Sequence, residues 1–164
     1  MLPIQFALEL ETSISDQIAT SSGTATDAIA PVIALVEGSQ VKFTLLLSST
    51  NTMKVDIVPY PVVDESQLLG PDTAWQQLSQ NIIAANASLQ DLTILWSIYT
   101  TIDKSVQFYQ QAATNSAYPQ ARLFFSSLNH TKKILRRKLA GIIQIYYNHY
   151  WGELGFAPFL LGKD

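Results

Sequence analysis

Apolar residues recur at helical spacing over most of the chain, and breakers cut that pattern near its middle. Leu92, Leu95, Trp96, Tyr99, Ile102, Val106 and Tyr109 follow intervals of three or four residues, which predicts a helix from about 89 to 113. Ser88, with Asp91 three positions on, has the spacing of a capping box at its start. The stretch from Asn115 to Pro119 supplies a stop and a restart, with proline suited to a first helical turn. A second stripe then runs through Phe124, Leu128, Leu135, Leu139, Ile142 and Tyr146. The short link between them predicts an antiparallel helical hairpin.

The first half carries two periods at once. Ile4, Phe6, Leu8 and Leu10 alternate, as do Val41, Phe43, Leu45 and Leu47, which is the period of a half-buried strand. The same segments fit helical stripes through Phe6, Leu10, Ile14 and Ile18, then Ile29, Ile33, Val36, Val41 and Leu45. Ser22 and Gly23 lie between them as a stop, and Pro31 falls where a first turn tolerates it. Helices are the preferred reading and strands the rival. Pro59, Pro61, Gly70 and Pro71 then mark a connection, within which Trp75, Leu78, Ile82 and Ile83 predict a short helix over 73–86. The expected layout is a single domain over 1–164. It has a first hairpin at about 4–49, a crossover at about 50–87, a second hairpin at about 88–150, and an aromatic and glycine-rich tail over 151–164.

Composition narrows the function classes more than it names one. The 164 residues are 48% hydrophobic and 14% charged, with no cysteine and a formal charge of −3. Such a chain can bury a real core without a disulfide or structural metal, and thiolate chemistry is excluded. Scarce charge and abundant neutral polar side chains favour self-association, so a homodimer is expected. The N-terminal stretch has no basic region and carries Glu9 and Glu11, unlike a secretory signal, which predicts a cytoplasmic protein. The longest apolar run, Ala28 to Val36, contains Pro31 and lies between Asp27 and Glu37, so no membrane span is expected.

Self-similarity between the halves points further. FALELETSISDQI precedes VIALVEGSQ much as WSIYTTIDKSVQFY precedes FFSSLNHTKKIL. With the Phe108-Tyr109 pair, the Phe125-x-x-Leu128 step and the tail YYNHYWGELGFAPF, the chain resembles rubrerythrin-like members of the ferritin-like superfamily. The resemblance implies an all-α, ferritin-like four-helix bundle of two helix hairpins with a long central crossover. It also implies a dinuclear metal centre inside the bundle, built from one Glu on each of two helices and a Glu-x-x-His on each of the others.

Carried over by position, the resemblance places the first-helix Glu at Glu11 and the first Glu-x-x-His at Glu37 and Gln40. The third-helix Glu falls on Ile102, and the second Glu-x-x-His on Lys132 and Leu135. Gln40 is a poor iron ligand, Ile102 and Leu135 offer no donor, and Lys132 puts a positive charge where a divalent cation would sit. A bundle that has lost its metals must neutralise any carboxylate left inside, and Lys132 is the expected partner of Glu11 or Glu37. A small register shift would instead bring His130 or Asp103 near the ligand positions, restoring a partial site with Glu37. No metal cofactor is the primary expectation, and iron or manganese held by Glu11, Glu37, Gln40 and His130 is the alternative.

Charge is unevenly spread: residues 1–72 hold two basic and nine acidic side chains, residues 73–164 eight and four. Half of the basic residues are Lys132, Lys133, Arg136, Arg137 and Lys138. Such a run can meet phosphates or an anionic membrane surface, but on a helix flanked by Leu128, Leu135 and Leu139 it reads first as a solvated face paired with acidic neighbours. Without aromatic platforms beside it, nucleic-acid binding is not expected. Phosphate-loop, dinucleotide, zinc-protease and nucleophile-elbow motifs do not occur in the sequence. The expected role is therefore non-catalytic, with a vestigial site and a structural, binding or accessory function. A metal-dependent oxidoreductase and an anion or membrane-surface binder are the rivals. The identity of any small-molecule ligand stays open.

Overall fold

The computed structural model describes residues 2–51, 60–81 and 87–153, and these are mostly helical, with no strand among them. The elements are α1 (Pro3–Ser21), a 3-10 turn (Ser22–Thr24), α2 (Ala30–Asn51), α3 (Glu65–Leu69), α4 (Asp72–Asn81), α5 (Leu89–Asn115) and α6 (Pro119–Glu153). The strand reading of the first half thus gives way to the helical one.

Local chemistry sets most of these boundaries. Pro3 and Pro119 open their helices, where the missing N–H would have had no partner. α1 ends as Ser22 Oγ donates to the Ile18 carbonyl at 2.6 Å and the chain tightens into the 3-10 turn. The expected capping box on α5 is present: Asp91 N donates to Ser88 Oγ at 3.1 Å, and Ser88 N to Asp91 Oδ2 at 3.0 Å. Between α3 and α4, Gly70 takes φ 78°, a conformation that favours glycine. Trp75 Nε1 then donates to the Leu69 carbonyl at 2.9 Å, tying the first turn of α4 to the end of α3. The short helix expected over 73–86 is α4 as far as Asn81, and the rest of that span lies outside the described residues. α6 continues to Glu153, so the helix includes the start of the expected tail, whose remainder also lies outside them.

Side-chain meetings give the directions of the long helices. Gln40 reaches Glu11, so α1 and α2 run antiparallel across their turn. Asn129 reaches the Val106 carbonyl and Arg136 reaches Asp103, so α5 and α6 are antiparallel. Phe6 stacks on Phe108 with ring centroids 5.2 Å apart, and Thr26 meets Asp91 at the other end, so α1 and α5 are antiparallel too. Lys132 meets Gln40, and Tyr146 donates to the Ala28 carbonyl, which makes α2 and α6 antiparallel. It follows that α2 and α5 point the same way. The chain between them must travel the length of the molecule, and it does so past α3, which packs on α2 and α6, and α4, which packs on α6.

The interior is continuous across these helices, with Phe43, Leu47, Leu95, Ile98, Phe125 and Leu139 among its sealed side chains. Burying a residue of this kind contributes about 1.5–3 kcal/mol. In the first half the buried stripe agrees with the expected one at Ile14, Ile18, Ile29, Ile33 and Val36 and departs from it elsewhere. α1 turns Ile4, Ala7, Glu11, Ile14 and Ile18 inward, leaving Phe6 half-exposed. α2 buries Val36, Ser39, Gln40, Phe43 and Leu47, while Val41 and Leu45, expected inside, are 58% and 63% exposed. That outward apolar face has a consequence for composition. Ala30–Thr50 reaches a mean hydropathy of 1.4, and among the described residues it is the one helix long and apolar enough to cross a membrane, with 39% of its window buried within the fold.

Candidate functional site

The shift in stripe places polar groups at the centre of the molecule. Helical periodicity carries Glu11 inward with Ala7 and Ile14, Gln40 with Val36 and Phe43, Lys132 with Leu128 and Leu135, and Tyr109 with Ile102 and Val106. Glu11, Lys132 and Tyr109 have no solvent exposure and Gln40 has 1%. Each of the long helices therefore contributes one polar group to a sealed cluster.

The cluster satisfies itself. Lys132 Nζ lies 2.9 Å from Glu11 Oε2 and also donates to Gln40 Oε1. Gln40 Nε2 donates to Glu11 Oε2 at 2.8 Å, so both ends of the amide are used. Tyr109 donates its hydroxyl proton to Glu11 Oε1 at 2.8 Å. The Phe43 ring lies beneath the ammonium, 4.0 Å from Nζ to the ring centroid, a contact that draws on the negative face of the ring. A carboxylate so placed has strong donors on both oxygens, the condition under which a buried charge is tolerated.

Titration follows from the same geometry. Burial pulls the Lys132 ammonium below its ordinary 10.5, while the charge and hydrogen bond of Glu11 push the other way and offset part of that shift. Burial raises the Tyr109 phenol well above 10.0, and the Glu11 charge and the hydrogen bond to it add to the effect. Tyr109 therefore stays a proton donor throughout the neutral range.

The pairing of Lys132 with Glu11 expected from the sequence is present, but the alternative partner, Glu37, is not in the cluster. Glu37 is exposed on α2 and lies outside the buried stripe that carries Gln40. His130 is also outside, with 64% of its side chain exposed and Nε2 3.0 Å from Glu65 Oε1 of α3. The set Glu11, Glu37, Gln40 and His130 is thus split between interior and surface. Asp103, the other residue considered for a shifted register, pairs with Arg136. Ile102 and Leu135 are fully buried apolar core. From the sequence, Tyr109 is a position on the apolar stripe and part of the Phe108-Tyr109 pair, and Phe43 a position in the rival strand alternation; neither is expected in the polar cluster. The signal for Tyr109 was its position opposite Glu11 in a packed interior, since a buried phenol needs a hydrogen-bond partner.

The basic run also divides. Lys132 is interior and cannot meet a surface anion. Arg136 pairs with Asp103, and Lys138 Nζ lies 2.8 Å from Asp72 Oδ1 and 6.0 Å from the Trp75 ring centroid. Lys133 is half-buried and Arg137 is exposed. Arg137 and Lys138 border an open groove of about 400 Å³ between α4 and α6, where Asp72 already sits against Lys138.

A dinuclear centre of the kind implied by the resemblance does not fit this interior. It needs several carboxylates and imidazoles, whereas the cluster offers one carboxylate, an amide and a phenol around an ammonium that already holds the first two. Among the described residues no group of three or more His, Cys, Asp or Glu side chains comes together. No family model, no curated protein and no solved structure matches this chain. The function must therefore be argued from the cluster itself.

Proposed function

We propose that the chain is a ferritin-like, rubrerythrin-like helical protein whose metal centre has given way to a buried ion pair, and that its role is structural or accessory rather than catalytic. Two antiparallel hairpins joined by a connection that travels the length of the molecule support the architecture, because this is the one-crossover arrangement of that superfamily. The observation that carries the functional reading is the Lys132 ammonium bonded at once to Glu11 and Gln40, two residues carried over from ligand positions. A fixed positive charge there supplies from within the chain the neutralisation that metal ions would supply. The sparse charge of the sequence and the exposed Val41 and Leu45 on α2 support self-association as a dimer.

Elemental analysis tests the reading directly. Protein purified after growth with added iron or manganese is expected to carry neither in stoichiometric amount. Stoichiometric metal with carboxylate ligation would overturn it in favour of a metal-dependent oxidoreductase.

A further inference from the structure

The outward face of α2 carries a pattern that the single chain does not use. Ala34, Gly38, Val41 and Leu45 follow steps of four, three and four residues and are all exposed, while Gln40 and Phe43 turn the opposite face into the core. Alternating steps of three and four make the seam of a coiled coil. Glu37 stands just before Gly38 and Lys42 just after Val41, which puts them on opposite margins of that seam. Both are exposed, and among the described residues neither belongs to an ion pair. We propose that α2 pairs with α2 of a second copy, side by side and parallel, about a two-fold axis running along the seam. This rests on the reading of the chain as a dimer and assigns its surface.

Charge selects both the partner and its direction. Parallel two-fold symmetry brings each seam residue against its own copy and sets the Glu37 margin of one helix beside the Lys42 margin of the other. The carboxylate then meets an ammonium five positions further along the partner helix, the spacing of the ion pairs that flank parallel coiled coils. Symmetry repeats the contact, so both charges of both copies are answered. Antiparallel pairing would set like margins together and leave the carboxylate and the ammonium unmatched. A lipid surface could also cover an apolar helix face, but it gives no reason for opposite charges at this spacing on opposite margins.

Gly38 points the same way. A glycine inside a helix costs about 1 kcal/mol relative to alanine. A Cβ built at Gly38 would meet no atom within 4 Å, so nothing in the single chain needs the space. A second backbone packed on the seam does need it, and Ala34 one turn earlier keeps the same approach open. Val41 and Leu45 then meet their own copies and supply the apolar contact.

Sedimentation velocity of the full chain is expected to show a dimer. Glu37→Lys and Lys42→Glu each set two like-charged contacts across the seam, and each is expected to weaken dimerisation about tenfold or more. The double variant exchanges the charges and is expected to dimerise as the parent does. Both positions are exposed, and circular dichroism reports that the variants stay helical. Direction is read with cysteine, which the chain lacks. Under oxidation Val41→Cys and Leu45→Cys are each expected to crosslink to their own copies, giving dimer mass in non-reducing electrophoresis. Crosslinking only when Ala34→Cys is mixed with Leu45→Cys would show antiparallel pairing and overturn the proposal. A parent dimer indifferent to both charge reversals overturns it while leaving the dimer reading intact. A parent that stays monomeric overturns both, and one that then co-sediments with phosphatidylcholine vesicles assigns the face to lipid. Metal content decides the vestigial-centre reading separately.

Discussion

Glu11 and Asp91 are both carboxylates with no solvent exposure, and the protein satisfies them in opposite ways. Glu11 lies mid-molecule and draws its donors from other helices: the Lys132 ammonium, the Gln40 amide and the Tyr109 hydroxyl. Asp91 sits at the start of α5 and has no cation among its donors. It accepts from Thr26 N at 3.0 Å, Thr26 Oγ1 at 2.5 Å and Ser88 N at 3.0 Å, in the positive field of a helix N-terminus. A backbone end can disperse a buried charge over dipoles. The middle of a helix has every backbone donor committed, so a carboxylate there needs side chains brought from elsewhere.

The largest expected effect comes from stranding the mid-molecule charge. Lys132→Met leaves the Glu11 carboxylate without its cation, and breaking a buried pair in this way costs about 3–5 kcal/mol, to be read from denaturant unfolding against the parent. Adding Glu11→Leu to Lys132→Met is expected to recover most of that loss, because no uncompensated charge remains. A shift of well under about 1 kcal/mol in the single variant would mean that Glu11 already finds compensation without Lys132.

Tyr109→Phe sharpens the comparison by removing one donor while leaving the ion pair. The loss expected is about 1–3 kcal/mol, the cost of leaving a buried acceptor short of a partner. It also changes the alkaline limb. The folded-state Tyr109 pKa lies above its ordinary 10.0, so the stability it contributes is fully present below that value and is lost as pH rises through the higher folded value. Melting temperature measured across the alkaline range should fall less steeply above pH 10.0 in Tyr109→Phe than in the parent.

At the other carboxylate the expected loss is smaller and the pH dependence has the opposite sense. Asp91→Ala removes the capping box and the tie to Thr26, for about 0.5–2 kcal/mol. Burial pushes the Asp91 carboxyl up, but its hydrogen bonds with Thr26 and Ser88 outweigh this and hold it below its ordinary 3.8. Its stabilisation is therefore present above pH 3.8 and is lost as pH falls through the lower folded value. Acid unfolding monitored by circular dichroism should lose part of its steepness in Asp91→Ala.

The same contrast explains what the sequence made legible. The Ser88–Asp91 box, the restart at Pro119 and the span of α5 are written in neighbouring residues, and all were readable. The Lys132 and Glu11 positions were readable only through the internal repeat and the resemblance it suggested, because nothing local joins residues 121 apart. The helical stripes of the first half hold at Ile14, Ile18, Ile29, Ile33 and Val36 and miss elsewhere for a related reason. Counting only apolar residues as markers of the interior selects Phe6, Val41 and Leu45 and passes over Glu11 and Gln40, although the fold buries the polar pair and exposes the others. A polar residue on an otherwise apolar stripe was the missing signal, and it recurs on α1, α2 and α6.

Surface pairs supply the lower end of the scale. His130 Nε2 lies 3.0 Å from Glu65 Oε1, within hydrogen-bond reach, yet the two side chains are 64% and 45% exposed. Water already solvates both groups, and holding them together costs side-chain freedom, so His130→Ala is expected to change stability by only about 0–1 kcal/mol. Screening should erase even that difference, since exposed charges lose most of their interaction at high ionic strength. Unfolding of His130→Ala and the parent at low and high salt checks both points. A loss as large as that of Tyr109→Phe would show that the α3–α6 contact, rather than the sealed cluster, holds the crossover against the hairpins.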